Sequence, residues 1–195
     1  MSGPLDRERI VKLFDELSAE LRFTRTRAQI YIVGGAAMSL AFDRERTTRD
    51  VDARIDAGHS RLVEAVRRVG RRHGLGDTWL NDQATAAIPR SADKRAETLY
   101  QSPNLTVTGA SAKHLLAMKL LAGRNRDRQD VATLAEHLKL KEPGDAIQIY
   151  KDLFPDEKLK PQARQLLDWT FRARAREHER DTGRAGDGER RRDGA

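Results

Sequence analysis

Apolar residues recur at helical spacing near the start of the chain. Ile10, Leu13, Phe14, Leu17 and Leu21 share one face, with Asp6, Arg7, Arg9, Lys12, Asp15 and Glu16 on the other. This predicts an amphipathic helix. Ile30-Tyr31-Ile32-Val33 is then a short β-branched run ended by Gly34-Gly35, which predicts a buried strand entering a tight turn. A small-residue helix follows over 36–42. Val51, Ala53 and Ile55 alternate with polar neighbours and predict a strand over 50–55. The next helix, over about 60–72, turns Leu62, Val63, Val66 and Val69 inward and Arg61, Arg67, Arg68, Arg71 and Arg72 outward, and Gly74-Leu75-Gly76 ends it. Residues 104–109 carry another alternating strand, stopped by Ser111 as a helix cap. Helices are expected over 110–122 and 128–138, and Pro143, Pro155 and Pro161 punctuate a last helical region closing near Ala173.

Strands alternate with helices at the front and only helices follow, which predicts an α/β fold: a mixed sheet flanked by helices, with a helical C-terminal part. The boundaries read as a core over 1–122, a helical part over 123–175 and a charged tail over 176–195. That tail has no large apolar residue after Phe171, so it is expected to stay disordered.

Composition narrows the chemistry. The 195 residues allow one compact domain with a small helical appendage. The absence of cysteine excludes disulfides, thiolate metal sites and a cysteine nucleophile. No apolar run approaches the roughly 18 residues a membrane span needs, so a soluble, cytoplasmic protein is expected. The net charge of +7 suits a polyanionic partner such as nucleic acid, or equally an inert basic surface. The five histidines are scattered without ligand spacing, and Trp79 and Trp169 read as core.

The chemistry gathers at Asp50-Val51-Asp52. Residues i and i+2 of a strand project to one side, so the two carboxylates point together while Val51 enters the core. Carboxylates held so close repel unless a cation compensates, and their hard oxygens suit Mg²⁺. Two such ions about 3.5–4 Å apart can clamp an in-line phosphoryl displacement. An Asp-x-Asp is by itself also an ordinary solvated strand edge. The Gly34-Gly35 turn before a helix lets backbone approach a phosphate, and the helix N-terminus offers free N–H groups. Close helix-on-strand packing would call for the same glycines. The combination of strand, Gly-Gly, helix and Asp-x-Asp strand is more specific than either part.

On Ile32-Val33-Gly34-Gly35-Ala36-Ala37 followed by Thr48-Arg49-Asp50-Val51-Asp52, the chain resembles the DNA polymerase β-like nucleotidyltransferases. The Gly-Gly version is similar to CCA-adding tRNA enzymes and to the toxin-type AbiEii/MenT-like nucleotidyltransferases of bacterial toxin–antitoxin systems. The likeness runs over about 31–131, with motif identity in three short patches. The third patch is Lys119-x-x-Ala122 leading to Arg126-Asp127-x-x-Asp130-Val131. Lys119 sits in an otherwise apolar helix, where an ammonium needs to snorkel or meet an anion, either a phosphate or an acidic side chain.

The resemblance implies a nucleotidyltransferase-fold sheet and two Mg²⁺ ions on Asp50 and Asp52. It also implies nucleotide binding by Gly34, Gly35 and Lys119, with Asp130 or Asp127 supporting the site. NMP would pass from an NTP to an RNA acceptor, foremost the tRNA 3′ end, in a toxin held by a cognate antitoxin. A hydroxyl near Thr48 is a regulatory phosphorylation site in toxin-type enzymes. Arg44, Arg46 and Arg49 are either phosphate clamps or solvated loop residues. Two departures stand out. Gly35 occupies the place where many superfamily members carry serine, and no third carboxylate stands on a later predicted strand, although Asp77, Asp82, Asp93 and Glu97 are available. A small-molecule (antibiotic) nucleotidyltransferase and a non-catalytic nucleotidyltransferase-like binding module are the alternatives.

Overall fold

The computed structural model describes residues 3–43 and 45–189, the side chains of 177–189 excepted. The described residues divide into two compact units, parting between Met118 and Lys119.

In the first unit, Asp6 caps helix α1 (Arg7–Phe23) by accepting from the Arg9 N–H at 2.8 Å. The helix buries Ile10, Leu13, Phe14, Leu17 and Leu21, the face that the spacing predicts. Each such side chain contributes about 1.5–3 kcal/mol by leaving water. Strand β1 (Ala28–Ile32), helix α2 (Gly34–Ala41), strand β2 (Val51–Ala57) and helix α3 (His59–Arg72) follow. Then come β3 (Leu80–Asn81), a short 3-10 turn (Gln83–Ala87), β4 (Glu97–Gln101), β5 (Leu105–Gly109) and α4 (Ala112–Ala122).

The five strands form one mixed sheet in the order β3-β2-β1-β5-β4. Central β1 runs antiparallel to β2 and parallel to β5, while β3 joins β2 in parallel and β4 joins β5 antiparallel. The α/β expectation therefore holds, with two corrections. Strand β2 starts at Val51, and Asp50 lies in the bend before it. The sequence pattern contains no β3 or β4. Strand β3 is only two residues long, and β4 has no buried residue and a register shift between Thr98 and Tyr100, so neither presents an alternating face. Trp79 is buried and donates its ring N–H to the Val66 carbonyl at 3.0 Å, closing α3 onto the loop before β3.

The second unit, beginning inside α4, is helical: a 3-10 turn (Asn125–Asp127), α5 (Arg128–His137), α6 (Pro143–Leu153) and α7 (Pro161–Glu189). Both α5 and α6 pack on α7, burying Val131, Leu134, Tyr150, Ala163, Leu166 and Leu167. A capping box between Glu142 and Asp145, with proline at the first helical position, starts α6. Lys160 donates to the Leu121 carbonyl at 2.9 Å, satisfying one of the terminal acceptors of α4. The disordered tail expected over 176–195 falls, apart from the backbone of α7 to Glu189, outside the described residues.

Candidate functional site

The Gly-Gly turn is shaped by what leans against it. After β1 the Val33 N–H continues the ladder to the Asp52 carbonyl at 2.9 Å, and the chain then turns into α2. Gly34 has φ +64°, a region L side chains rarely enter, and a Cβ there would meet Asp52 Oδ2 at 3.0 Å. Gly35 is required by space instead: its Cβ would lie 2.6 Å from Thr48 Oγ1. The missing side chains thus admit Asp52 and Thr48 to the first turn of α2. The leading N–H groups of that turn have no intrahelical acceptor, and the helix dipole adds positive character.

The carboxylates sit in unequal settings. Asp52, on β2, is half-buried between the fully buried Val51 and Ala53, whereas Asp50 is exposed in its bend. Thr48 Oγ1 donates to the Asp50 carbonyl at 3.1 Å. Leu5, fully buried, holds Thr48 through Leu5 N to Thr48 O at 2.7 Å and Thr48 N to Leu5 O at 2.9 Å. Arg49 is exposed beside Asp50, Arg46 is half-buried, and Arg44 lies outside the described residues. Asp50 and Asp52 are the donors this region could offer a metal; among the described residues no group of three His, Asp or Glu side chains forms a metal cluster.

Lys119 belongs to the second unit and has acidic partners. Its ammonium lies 2.6 Å from Asp127 Oδ1 and 2.5 Å from Asp130 Oδ2, all three residues being buried. The ammonium in the apolar helix is therefore compensated by two carboxylates delivered by the turn before α5 and by its first helical turn.

The outward arginines of α3 are largely engaged within the first unit. Arg68 pairs with Glu20 at 2.7 Å, Arg72 with Glu20 at 2.5 Å and Glu16 at 3.2 Å, and Arg61 with Glu64 at 3.1 Å. His73 adds a contact to Glu16 at 2.5 Å. Burial alone would raise the Glu16 and Glu20 carboxyls, but hydrogen bonds from His73 and Arg72 to Glu16, and from Arg72 and Arg68 to Glu20, hold both below their ordinary value. Arg67 and Arg71 stay on the exposed side of the helix.

With this geometry in place, comparison with known proteins decides the family. Residues 8–151 match the model of a family described as nucleotidyltransferases of unknown function (DUF6036). The chain belongs to this family. No curated protein matches it. Among solved structures, an antigenic nucleotidyltransferase-like protein from Paracoccidioides brasiliensis is similar at 14% identity, covering 89% of this chain and 92% of that one with a TM-score of 0.32. A likeness so loose carries no argument here.

The matched stretch contains the Gly-Gly turn, both aspartates and Lys119. It also contains a cluster that spacing alone does not reveal. Asp93 accepts from the Tyr31 hydroxyl and the Ser111 N–H, both at 2.8 Å, and lies 3.3 Å from His114 Nδ1. Burial would raise the Asp93 carboxyl, yet these donors outweigh it and hold it below its ordinary value; the same contact and burial push the Tyr31 hydroxyl up. The cluster borders a cleft of about 330 Å³ with Arg54, Arg90 and Thr108 on its wall. Arg54 lies 4.8 Å over the Tyr31 ring and follows Asp52 by two residues on the same side of β2. Residues separated by up to 83 positions, from β1, two loops and α4, build this group, so only the tertiary fold brings them together. Of the carboxylates available as a third acid, Asp93 is thus occupied as a structural acceptor, Asp77 and Asp82 are exposed, and Glu97 begins β4.

Proposed function

We propose that this nucleotidyltransferase transfers an NMP from a magnesium-bound NTP to an acceptor hydroxyl on RNA, foremost the tRNA 3′ end, as the toxin of a toxin–antitoxin pair. The observation that carries the reaction is the close approach at Gly34, where a Cβ would lie 3.0 Å from Asp52 Oδ2, so that an acidic side chain stands beside the turn that opens α2. One element serves cation binding and the other phosphate binding.

The donor set fits the metal. Asp50 and Asp52 offer hard oxygens, the absent Cβ of Gly34 leaves room at Asp52 Oδ2, and Mg²⁺ ordinarily completes its shell with water and substrate phosphates. Magnesium bound there supplies charge neutralisation at the reacting phosphoryl group. The acceptor hydroxyl oxygen bonds to the α-phosphorus and releases its proton to solvent, while the bond to the bridging oxygen breaks and pyrophosphate leaves. Gly34 and Gly35 present the backbone N–H groups to the phosphates, and exposed Arg49 adds a guanidinium able to fork onto them. The roles that the resemblance gives Lys119 and Asp130 remain part of the proposal.

The net charge of +7 and the outward Arg67 and Arg71 support an RNA acceptor. A second reading, a small-molecule acceptor, is favoured by the pairing of Arg61, Arg68 and Arg72 with glutamates, which leaves less open positive surface than the sequence suggests. Purified protein incubated with each labelled NTP, Mg²⁺ and total tRNA tests the first choice. Label should appear in RNA with at least one nucleotide; none with any of the four would sink it.

A further inference from the structure

We infer that Thr48 supplies the side-chain hydroxyl of the phosphate-binding turn, and that Gly35 is a glycine in order to seat it. The inference rests on the nucleotidyltransferase reading above and names a further substrate-binding residue in that site.

Three observations converge on it. First, only Gly34 of the two glycines has a positive φ, so backbone conformation does not account for Gly35. What accounts for it is the side chain of Thr48: a Cβ on residue 35 would lie 2.6 Å from Thr48 Oγ1 and 3.0 Å from Thr48 Cβ. Any side chain at position 35 displaces the threonine. Second, Thr48 is fixed although it lies between elements. The paired backbone bonds to Leu5 form an isolated antiparallel bridge, and Leu5 is itself fully buried. Third, the hydroxyl has a role to exchange. It donates to the Asp50 carbonyl at 3.1 Å, so it is oriented within the loop that carries Asp50 and leads into the strand of Asp52.

A hydroxyl can rotate its proton from a carbonyl to a nearby anionic oxygen without moving the carbon frame. The Thr48 Oγ1–H is placed to do so when a triphosphate meets the first turn of α2. Bonds to charged acceptors are stronger than neutral ones, typically by a factor of about two. A loop hydroxyl held by a buried anchor also loses little entropy on binding. Thr48 and the α2 N–H groups then grip one phosphate from two elements, which ties the Gly-Gly turn to the Asp50–Asp52 segment.

The test is nucleotide affinity, read by titration of each NTP with Mg²⁺ into the full chain, alongside KM and kcat for transfer. Thr48→Val keeps the shape and removes the hydroxyl; it should weaken NTP binding roughly tenfold or more, the scale of one hydrogen bond to a charged group. Thr48→Ser should bind like the parent. The decisive variant moves the hydroxyl across the contact: Gly35→Ser alone should bind poorly, and Gly35→Ser with Thr48→Gly should regain affinity, because the glycine removes the obstructing atoms. Parent-level affinity for Thr48→Val, or no gain from the exchange in a protein with an unchanged melting temperature, would overturn the inference while leaving the proposed reaction intact. A parent protein that binds no NTP would instead count against the reaction itself.

Discussion

Gly34 is constrained twice at the scale of single residues, because its positive φ and the close approach of Asp52 Oδ2 are separate demands on one position. Gly34→Ala should therefore cost about 1–2 kcal/mol from the left-handed backbone alone, with a further loss as Asp52 shifts. A thermal melt should show the drop, and NTP affinity should fall with it; an unchanged melt and affinity would remove the argument for a close-approach turn. Asp93 makes a different prediction. Its folded-state carboxyl is held below the ordinary value of 3.8, so it contributes stability that is present above that pH and is lost as pH falls through the lower folded value. Asp93→Asn should be less stable near neutrality and should lose less on acidification below about 3.8 than the parent. Parallel acid-unfolding curves for the two proteins would show that Asp93 is not the titrating clamp.

At the scale of elements, the packing stripes of α1 and α3 were legible because they repeat over several turns with charged residues opposite. Strand β1 and its glycine stop were equally clear. Strands β3 and β4 were hidden: two residues cannot establish a period, and the bulge at Thr98–Tyr100 breaks the alternation that would mark the second. The same limit applies to the site. Gly34, Gly35 and the two aspartates stand in patterns that local spacing encodes, whereas Tyr31, Asp93 and His114 meet only through tertiary structure. The partners of Lys119 were half legible. An acidic neighbour was one of two open choices, and the turn after α4 and the first turn of α5 supply one each. Lys119→Met should remove the ammonium that both buried carboxylates share and destabilise the fold by about 3–5 kcal/mol, the usual cost of breaking a buried pair. Adding Asp127→Asn and Asp130→Asn should recover part of that loss. Recovery of stability without recovery of nucleotide transfer would separate a chemical role for Lys119 from its structural one. A mild effect of the single variant would mean that the ammonium does not carry the cluster.

For the whole molecule, charge is a poorer guide to the acceptor than it first looked. The net +7 stands, but α3 spends several arginines on Glu16, Glu20 and Glu64. Reversing Arg68 or Arg72 would disturb the packing of α1 against α3, so a clean test is confined to Arg67 and Arg71. With an RNA acceptor, Arg67→Glu with Arg71→Glu should weaken tRNA binding and flatten its salt dependence, leaving NTP affinity unchanged. Unaltered tRNA transfer in that variant would remove this helix from the RNA surface and favour a small acceptor.

Beneath these choices lies the proposal that the Gly-Gly turn and the Asp50–Asp52 carboxylates together form a nucleotidyl-transfer site. Its most direct measurement is transfer of label from an NTP in the presence of Mg²⁺, comparing the parent with Asp52→Asn at matched folding. Label should appear on an acceptor with the parent, and transfer should fall roughly a hundredfold or more in the variant, the scale on which removal of one pre-placed electrostatic group slows catalysis. Equal transfer by both proteins would contradict it.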